Sequence, residues 1–421
     1  MEKRDIEIMS PAGSFESLRS AIKAGANSVY FGIDQLNMRA RAAVNFTMQD
    51  LNEIVEICNK HNVKTYLTLN IVLYNHDIVK MKKICDIAKE SGVTAVIAAD
   101  IAAIQYANSI GLEVHISTQA NVSNFEAVKF FARFADVVVL ARELTFGQIK
   151  DICAKIKEEN ITGPSGELVR IEIFVHGALC VAISGKCYMS LATHNASANR
   201  GACLQNCRRT YRVIEEETGN ELVIDNNYIM SPKDLCTVGY IDKILDAGVC
   251  VLKIEGRGRS SDYVYTTTGV YREAADSYLE GNFTKEKIKN WIDKLSTVFN
   301  RGFWHGGYYL GKKQDEWSGS YGSQSTKERI FVGQVVHYYP KVGIAEIKIE
   351  TKDVAEGDKI CITGPTTGIL KGKVEGLRVG GNVANNAKKG DLITFVVSER
   401  VRNNDKLFVI RNRENVQDYT K

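Results

Sequence analysis

The sequence has no long apolar run. The longest ones, such as residues 136–142, fall far short of the ~20 apolar residues that a membrane-spanning helix needs. The first six residues include basic side chains, but no apolar segment follows them, so no secretory signal is predicted. These absences predict a soluble cytoplasmic protein with no membrane partner.

Extremes of composition and charge are also missing. Hydrophobic residues make up 44% of the 421 residues and charged residues 25%, which excludes a disordered tail, a collagen-like fibre and a coiled coil. The length allows one to three domains. Charge is nearly balanced, with 54 Lys and Arg against 50 Asp and Glu. The surplus lies in residues 329–421, where 16 basic residues face 11 acidic ones; it permits an anionic partner without requiring one.

A repeated unit of one short strand and one amphipathic helix fills the first 255 residues. Such alternation predicts a parallel sheet with right-handed crossovers. A doubly wound nucleotide-binding sheet would carry Gly-x-Gly-x-x-Gly after its first strand, and the Ser-Pro-Ala-Gly of residues 10–13 lacks it. Polar residues instead follow many strands, and in a (β/α)8 barrel those ends converge on one mouth. We therefore predict an α/β fold with a (β/α)8 TIM-like barrel over residues 1–300. Nine candidate strands compete for its eight places: 6–10, 28–32, 64–70, 95–100, 113–119, 136–141, 170–176, 228–231 and 250–255.

The pattern changes after the barrel. Residues 301–328 are rich in Gly, Ser and aromatic residues, which is typical of a linker. In residues 329–421, short period-two strands separated by Gly-Asp and Asn-Asp turns predict a small C-terminal all-β barrel domain. It has no cluster of a nucleophile and a base, so we predict a binding role for it.

Ten cysteines are unevenly spaced. Five are scattered, as is typical of buried small hydrophobes. The other five form an insertion over residues 180–236, directly after the predicted seventh strand: Cys180, Cys187, Cys203, Cys207 and Cys236. Four thiolates are the usual ligands of zinc or of an iron–sulfur cluster. Structural zinc sites favour paired tight knuckles, and only Cys203 and Cys207 approach that spacing. The irregular spacing therefore favours a 4Fe-4S cluster, with zinc as the alternative and the fourth ligand open between Cys207 and Cys236.

Residues 172–190 carry a more specific signal. They read Glu-Ile-Phe-Val-His-Gly-Ala-Leu-Cys, and Gly-Lys-Cys and then Ser follow within ten residues. This resembles the signature of the peptidase U32 family, which runs Glu-x-Phe, Gly, a small residue, an aliphatic, Cys, Gly-x-Cys and Ser. Further segments that resemble the family are 10–13, 117–119, 199–208, 231–236, 253–257 and 300–303.

The resemblance implies a U32-type barrel with a C-terminal β-domain. The family name implies proteolysis, including a collagenase label. Better-understood members are oxygen-independent hydroxylation proteins that carry a 4Fe-4S cluster and act on tRNA, ribosomal RNA or a ubiquinone precursor. Those that act on RNA use prephenate. Length and the extra β-domain make this chain most similar to members that form 5-hydroxyuridine at the tRNA wobble position. The implied partners are tRNA and prephenate, with a paralogous family member as a candidate subunit.

Three functions are compatible with this resemblance: a peptidase, an RNA-binding protein and an RNA hydroxylase. The sequence has neither Gly-x-Ser-x-Gly nor His-Glu-x-x-His, so a peptidase would be a cysteine enzyme built on Cys180 and His176. An RNA-binding protein with a structural metal would not need the many polar and charged side chains predicted at the barrel mouth. Oxygen-independent RNA hydroxylation uses the sulfur ligands, the mouth and the basic tail, and we predict it.

The predicted site residues lie mostly at strand ends. Arginine is the natural bidentate partner of each carboxylate of prephenate. The catalytic candidates are His176, Lys253 and Glu255. The substrate-binding candidates are Arg39, Arg41, Asn70, Gln119, Arg142, Arg257 and Arg301.

Overall fold

The computed structural model describes residues 6–33, 35–40, 45–222, 230–304, 317–318 and 322–413. Strands up to residue 304 are β1 (Glu7–Pro11), β2 (Ser28–Phe31), β3 (Lys64–Leu69), β4 (Ala95–Ala98), β5 (Glu113–Ile116), β6 (Val137–Val139), β7 (Arg170–Gly177), β8 (Val213–Ile214), β9 (Glu221–Leu222), β10 (Asp234–Cys236), β11 (Val251–Ile254) and β12 (Phe303–Trp304). Strands β1 to β7 pair in parallel in chain order, and β11 pairs with both β7 and β1. These pairings close a ring of eight parallel strands. The predicted (β/α)8 barrel is confirmed.

Helices separate most of these strands along the chain. They are α1 (Phe15–Lys23), α2 (Leu51–Asn59), α3 (Ile78–Glu90), α4 (Ile101–Ser109), α5 (Phe125–Ala132), α6 (Phe146–Glu158), α7 (Met189–His194), α8 (Ile241–Asp246), α9 (Ser261–Leu279) and α10 (Lys285–Ser296). Their starts are set by local chemistry: the hydroxyl of Ser14 accepts from the backbone N–H of Ser17 at 3.2 Å and caps α1. Of the helices in the described ranges, none is long and apolar enough to cross a bilayer.

The ninth strand candidate, 228–231, lies only partly within the described residues. Tyr228 and Ile229 lie outside the described residues, and Met230 is in a turn. A short strand just after it, β10, instead runs antiparallel to β7 and pairs Cys236 with His176. Strand β7 has eight residues and β6 only three, so the end of β7 extends beyond its pairing with β6 and is free to accept β10.

The C-terminal region is an antiparallel sheet. Its strands are β13 (Lys327–Tyr339), β14 (Ile344–Ile349), β15 (Val354–Ala355), β16 (Lys359–Gly364), β17 (Gly368–Lys373), β18 (Arg378–Val379), β19 (Asn382–Val383), β20 (Asn386–Ala387), β21 (Leu392–Val396) and β22 (Lys406–Asn412). Eight of them form one sheet in the order β17-β16-β22-β13-β14-β21-β18-β19, and β15 pairs with β20. The predicted all-β C-terminal domain is confirmed; among the described strands, β17 and β19, which end this order, are not paired with each other.

The C-terminal sheet contacts the outside of the barrel. Arg329 forms a 3.1 Å ion pair with Asp262 at the start of α9, and the amine of Lys371 donates to the Thr266 hydroxyl at 2.8 Å. On the other side, the guanidinium of Arg19 donates to the carbonyl of Pro365 at 2.9 Å. Part of the basic surplus of the tail is therefore used in docking against the barrel.

Candidate active site at the barrel mouth

A cavity of about 240 Å³ opens at the carboxyl ends of the barrel strands. Residues that follow β2, β3, β5, β6 and β11 line one side of it, and the cysteine insertion lines the other. The predicted site residues that it brings together are Arg39, Asn70, Gln119, Arg142, Lys253, Glu255, Arg257, Arg301, Cys180, Cys187, Cys203 and Cys207.

His176, predicted to be catalytic at the mouth, does not line this cavity. Its ring is buried beside Tyr263, Tyr271 and Phe303, at centroid distances between 5.5 and 5.9 Å. Burial lowers the pKa of His176 to about 3, despite the opposing charge of Glu255, so the ring is neutral at physiological pH. The ring of His176 thus lies in an aromatic pocket where β10 pairs with β7, away from the cavity wall, and its catalytic role stays a prediction.

Four of the five clustered cysteines share the cavity, and the fifth does not. Burial raises the pKa of the Cys207 thiol, Arg208 opposes that rise, and the neighbouring thiols of Cys180, Cys187 and Cys203 add to it. These four sulfur atoms are thus close enough to interact electrostatically. Within the described ranges, no three Cys, His, Asp or Glu side chains form a ready-made metal site.

Cys236 lies apart, on β10. Its side chain is buried, and burial raises the pKa of its thiol to about 11. Since Cys236 does not line the cavity, its position favours Cys207 as the fourth thiol of the set. Arg41, another predicted site residue, lies outside the described residues.

Close backbone contacts hold the cysteine insertion against the barrel. Arg208 donates to the carbonyls of Pro232 at 2.8 Å and of Leu179 at 2.5 Å, which ties the far end of the insertion to its beginning. Gly201 has a φ of +82°, and a Cβ there would lie 2.4 Å from the Asn37 carbonyl oxygen. Only glycine fits this approach without strain.

Two of the predicted arginines are neutralised by carboxylates. Arg39 pairs with Glu255 at 3.0 Å, and Arg301 pairs with the buried Asp234 at 3.2 Å. Burial acts to raise the pKa of Glu255, but Arg39 and the other nearby arginines bring it below its ordinary value. Glu255 is therefore an anion that orients Arg39 and has no proton to donate at neutral pH.

The other two predicted strand-end arginines have no carboxylate within salt-bridge distance in the described part of the chain. Arg257 donates to the side-chain oxygens of Asn37 at 3.1 Å and Thr68 at 2.9 Å. Burial lowers its pKa to about 10, so it stays cationic. Arg142 lies 4.0 Å over the Phe174 ring and donates to the Ala178 carbonyl at 3.1 Å, and its buried Nε has no partner. These two guanidiniums retain donors and charge for an anionic ligand.

Some residues that line the cavity were missed by the sequence predictions. Arg259 lies in the same Glu-Gly-Arg-Gly-Arg run as Arg257, so that run was an available signal, and its guanidinium stacks 3.5 Å over Phe299. Arg208 lies in a segment used for the family resemblance. Tyr30 and Thr68 are interior strand residues, and a sequence pattern gives no signal for a strand side chain that reaches a cavity.

Comparison with known proteins gives matches along most of the chain. The profile of peptidase family U32 matches residues 13–319. Over 414 residues, 98% of this chain and 100% of the relative, it is 54% identical to a protein of Porphyromonas gingivalis named collagenase. It is 32% identical over 374 residues, 85% and 83% of the two chains, to tRNA hydroxylation protein P1 of Bacillus subtilis. It is 33% identical over 276 residues, 65% and 40% of the two chains, to a 23S rRNA 5-hydroxycytidine synthase of Escherichia coli.

Proposed function

We propose a function from the premise that this chain belongs to the peptidase U32 family. In this proposal it hydroxylates RNA without molecular oxygen, using a 4Fe-4S cluster and prephenate, and forms 5-hydroxyuridine at the tRNA wobble position. Relatives named for tRNA and rRNA hydroxylation support RNA as the class of substrate. The observation that carries the proposal is a single cavity lined by four cysteines and seven cationic side chains: Arg39, Arg142, Arg208, Lys253, Arg257, Arg259 and Arg301.

The cluster is proposed from the donor set. Four cysteines on one cavity wall match the ligand number and chemistry of a 4Fe-4S cluster, and Cys180, Cys187, Cys203 and Cys207 would hold it. A bound cluster would supply one-electron chemistry at the mouth. Zinc is the runner-up occupant of the same thiols.

Prephenate is proposed as the small co-substrate because it carries two carboxylates. Of the predicted arginines that line the cavity, Arg257 and Arg142 are the two that no described carboxylate pairs with, and both lie close enough to Lys253 to affect the pKa of its amine. We assign the carboxylates of prephenate to Arg257 and Arg142. Asn70 and Gln119 line the same cavity and would contact its hydroxyl or carbonyl group.

The RNA is proposed to contact the rim of the mouth. Tyr188, between the cavity-lining Cys187 and Met189, is 76% exposed, and Tyr74 is 51% exposed with Arg200 stacked 4.2 Å over its ring. Exposed aromatic rings beside cations are platforms for single-stranded bases. A wobble base is already unpaired, so its entry into the cavity costs little.

The C-terminal sheet is proposed to contact RNA phosphates. Its aromatic residues divide into two groups: Phe395 is buried in the core of the sheet, whereas Tyr339 is 40% exposed. Phe395 therefore serves packing, and only exposed residues of this region are available for RNA.

A collagenase-like peptidase is the second candidate, favoured by the name of the 54% identical relative. It requires a nucleophile beside a base. Cys180 lines the cavity, but the buried His176 does not, so the structure does not assemble that pair. A third candidate, an RNA-binding protein with a structural metal, predicts that Glu255→Gln leaves all cellular function intact.

Anaerobic purification tests the cluster directly. We expect a brown protein with about four irons and four acid-labile sulfides per chain. Cys203→Ala should lose most of the iron, while Cys58→Ala, at a buried cysteine on α2, should retain it. The same preparation, given tRNA and prephenate without oxygen, should produce 5-hydroxyuridine. A colourless protein with one tightly bound zinc would overturn the proposal.

A further inference from the structure

The interior of this barrel contains charged side chains where such barrels usually contain branched apolar ones. The side chains of Glu172 and His115 are fully buried, and that of Lys253 is 5% exposed. Removing charged groups from water costs several kcal/mol for each ion, which close pairing only partly offsets. Buried ionisable groups that adjoin a cleft are characteristic of functional sites.

These side chains form a column that begins at the cavity. The amine of Lys253, on the cavity floor, lies 2.6 Å from Oε1 of Glu172. Oε2 of Glu172 faces Nδ1 of His115 at 3.9 Å, and neither atom has a hydrogen-bond partner in the described structure. The other ring nitrogen of His115 lies 3.2 Å from Oε1 of Glu113.

The column ends in solvent. Glu113 is the first residue of β5, so it lies at the amino end of the barrel, opposite the mouth, and its side chain is 39% exposed. The column therefore connects the cavity with water at the far end of the barrel, and its members are, in order, Lys253, Glu172, His115 and Glu113.

His115 has the chemistry of a proton carrier. A neutral imidazole has one N–H and can donate to only one of its two carboxylate neighbours, whereas the imidazolium donates to both. The 3.9 Å separation from Glu172 becomes a hydrogen bond after a movement of about 1 Å. A ring that gains a proton on one nitrogen and releases one from the other moves a proton between the two carboxylates.

We propose that Lys253, Glu172, His115 and Glu113 form a proton path through the barrel, from the cavity to solvent at the opposite end. The inference rests on the proposed function, in which RNA covers the mouth during the reaction and closes that route to water. Lys253 accepts a proton at Nζ and passes one to Glu172. His115 takes a proton at Nδ1 and releases one from Nε2 to Glu113, so one proton crosses and no other bond changes.

The electrostatics of the column support the first step. Burial lowers the pKa of Lys253; Glu172 opposes that effect, and Arg257 and Arg142 add to it. The free energy needed to remove a proton from this amine is thereby reduced. The other ionisable groups that face the column are Tyr30, Arg142 and Arg257 at the cavity end and Glu7, Lys64, Tyr66 and Arg170 at the far end.

Chemical rescue tests the path at its exposed end. Glu113→Ala should slow single-turnover hydroxylation roughly 100-fold, the low end for a lost proton-transfer group, and acetate should restore the rate. Glu167→Ala, at an exposed glutamate in the loop before β7, should leave the rate unchanged. A slow Glu113→Ala enzyme of normal thermal stability that acetate does not rescue would overturn the path, as would an unaffected rate.

A second measurement does not depend on the reaction. Acetylation of Lys253 by acetic anhydride, quantified by mass spectrometry across pH, gives the titration midpoint of this amine. Glu172→Gln should lower the midpoint by at least about one pH unit, because the opposite charge is lost. A midpoint that Glu172→Gln leaves unchanged overturns the path; a shifted midpoint without any hydroxylation overturns the proposed function and keeps the path.

Discussion

At the residue scale, the partners of each arginine determine what it can bind. Arg39 and Arg301 already have carboxylates, whereas Arg257 is held by an amide and a hydroxyl. We predict that Arg257→Gln weakens prephenate binding by about 2 kcal/mol, or roughly 30-fold, because one charged hydrogen-bonding group is lost. Calorimetric titration of the anaerobic protein measures this. Arg133→Gln, at the exposed residue that follows α5, should bind prephenate as the unmodified protein does. Equal affinities for the two variants would show that Arg257 does not bind prephenate.

A second prediction concerns pH and the ion pair at the far end of the barrel. Burial acts to raise the pKa of Glu7, but the charges of Arg170 and Lys64 and a hydrogen bond from Tyr66 bring it below its ordinary value of 4.5. A carboxyl with a lowered folded-state pKa stabilises the fold above its unfolded value and loses that contribution as pH falls through the folded value. Glu7→Gln should therefore lower the free energy of unfolding by about 3 kcal/mol at pH 7, since it breaks a buried pair.

Denaturant titrations at several pH values check the sign. The difference between Glu7→Gln and the unmodified protein should shrink as pH falls below 4.5. Glu167→Gln, at an exposed position, serves as the control. A difference that is the same at every pH would show that the effect comes from packing and not from charge.

The sequence predicted most mouth residues because they follow strands, and in a parallel barrel all such positions share one end. His176 failed this rule. It follows the same pattern, but β10 pairs alongside it, and a three-residue strand has no periodicity that a sequence reading can detect. The sequence also could not predict which arginines pair with a carboxylate. Asp234 is 67 residues from Arg301, and only the fold brings the two side chains together.

At the scale of elements, the contact between β17 and α1 is set by one glycine. Gly368 has a φ of +67°, and a Cβ there would lie 2.9 Å from Cβ of Arg19. Gly376 has a similar φ of +72° but no neighbour within 4 Å. Gly376→Ala should cost about 1 kcal/mol of unfolding free energy from backbone strain alone. Gly368→Ala should cost about 2 kcal/mol more, because overpacking adds to that strain.

Thermal unfolding of the two variants tests this docking. The Gly368→Ala protein should also release the C-terminal sheet to proteolysis at a lower temperature than the Gly376→Ala protein. Equal losses for the two substitutions would show that the sheet does not depend on this contact.

The alternation of strands and helices predicted a parallel sheet, and the polar residues that follow the strands favoured a closed barrel over an open sheet. The C-terminal strands were predictable from their turns, but their pairing order was not. Strands β13 and β22 are far apart in sequence and pair through seven residue positions. Pairings over such distances are set by packing, which a local pattern does not record.

At the scale of the whole molecule, the near-neutral body and basic tail predict a salt-dependent contact with RNA. Binding to tRNA should weaken steeply with salt, as expected when phosphates release counterions. Tyr188→Ala should weaken binding by about 1–3 kcal/mol, the value for one lost stacking platform. Tyr339→Ala, at an exposed tyrosine of the C-terminal sheet, should have a smaller effect. The reverse order would place base recognition on the sheet instead of the rim.

The central claim is that the cavity modifies RNA, and the nucleosides of a deletion strain test it most directly. Mass spectrometry of digested tRNA and ribosomal RNA, with and without the gene, compares every hydroxylated base at once. We predict that 5-hydroxyuridine-type modification disappears from tRNA and returns with the unmodified gene but not with Cys203→Ala. Loss of a hydroxylated ribosomal base alone would show that the substrate is ribosomal RNA and not tRNA, with the same hydroxylation reaction. Unchanged RNA, together with the loss of a peptide-cleaving activity, would contradict the account.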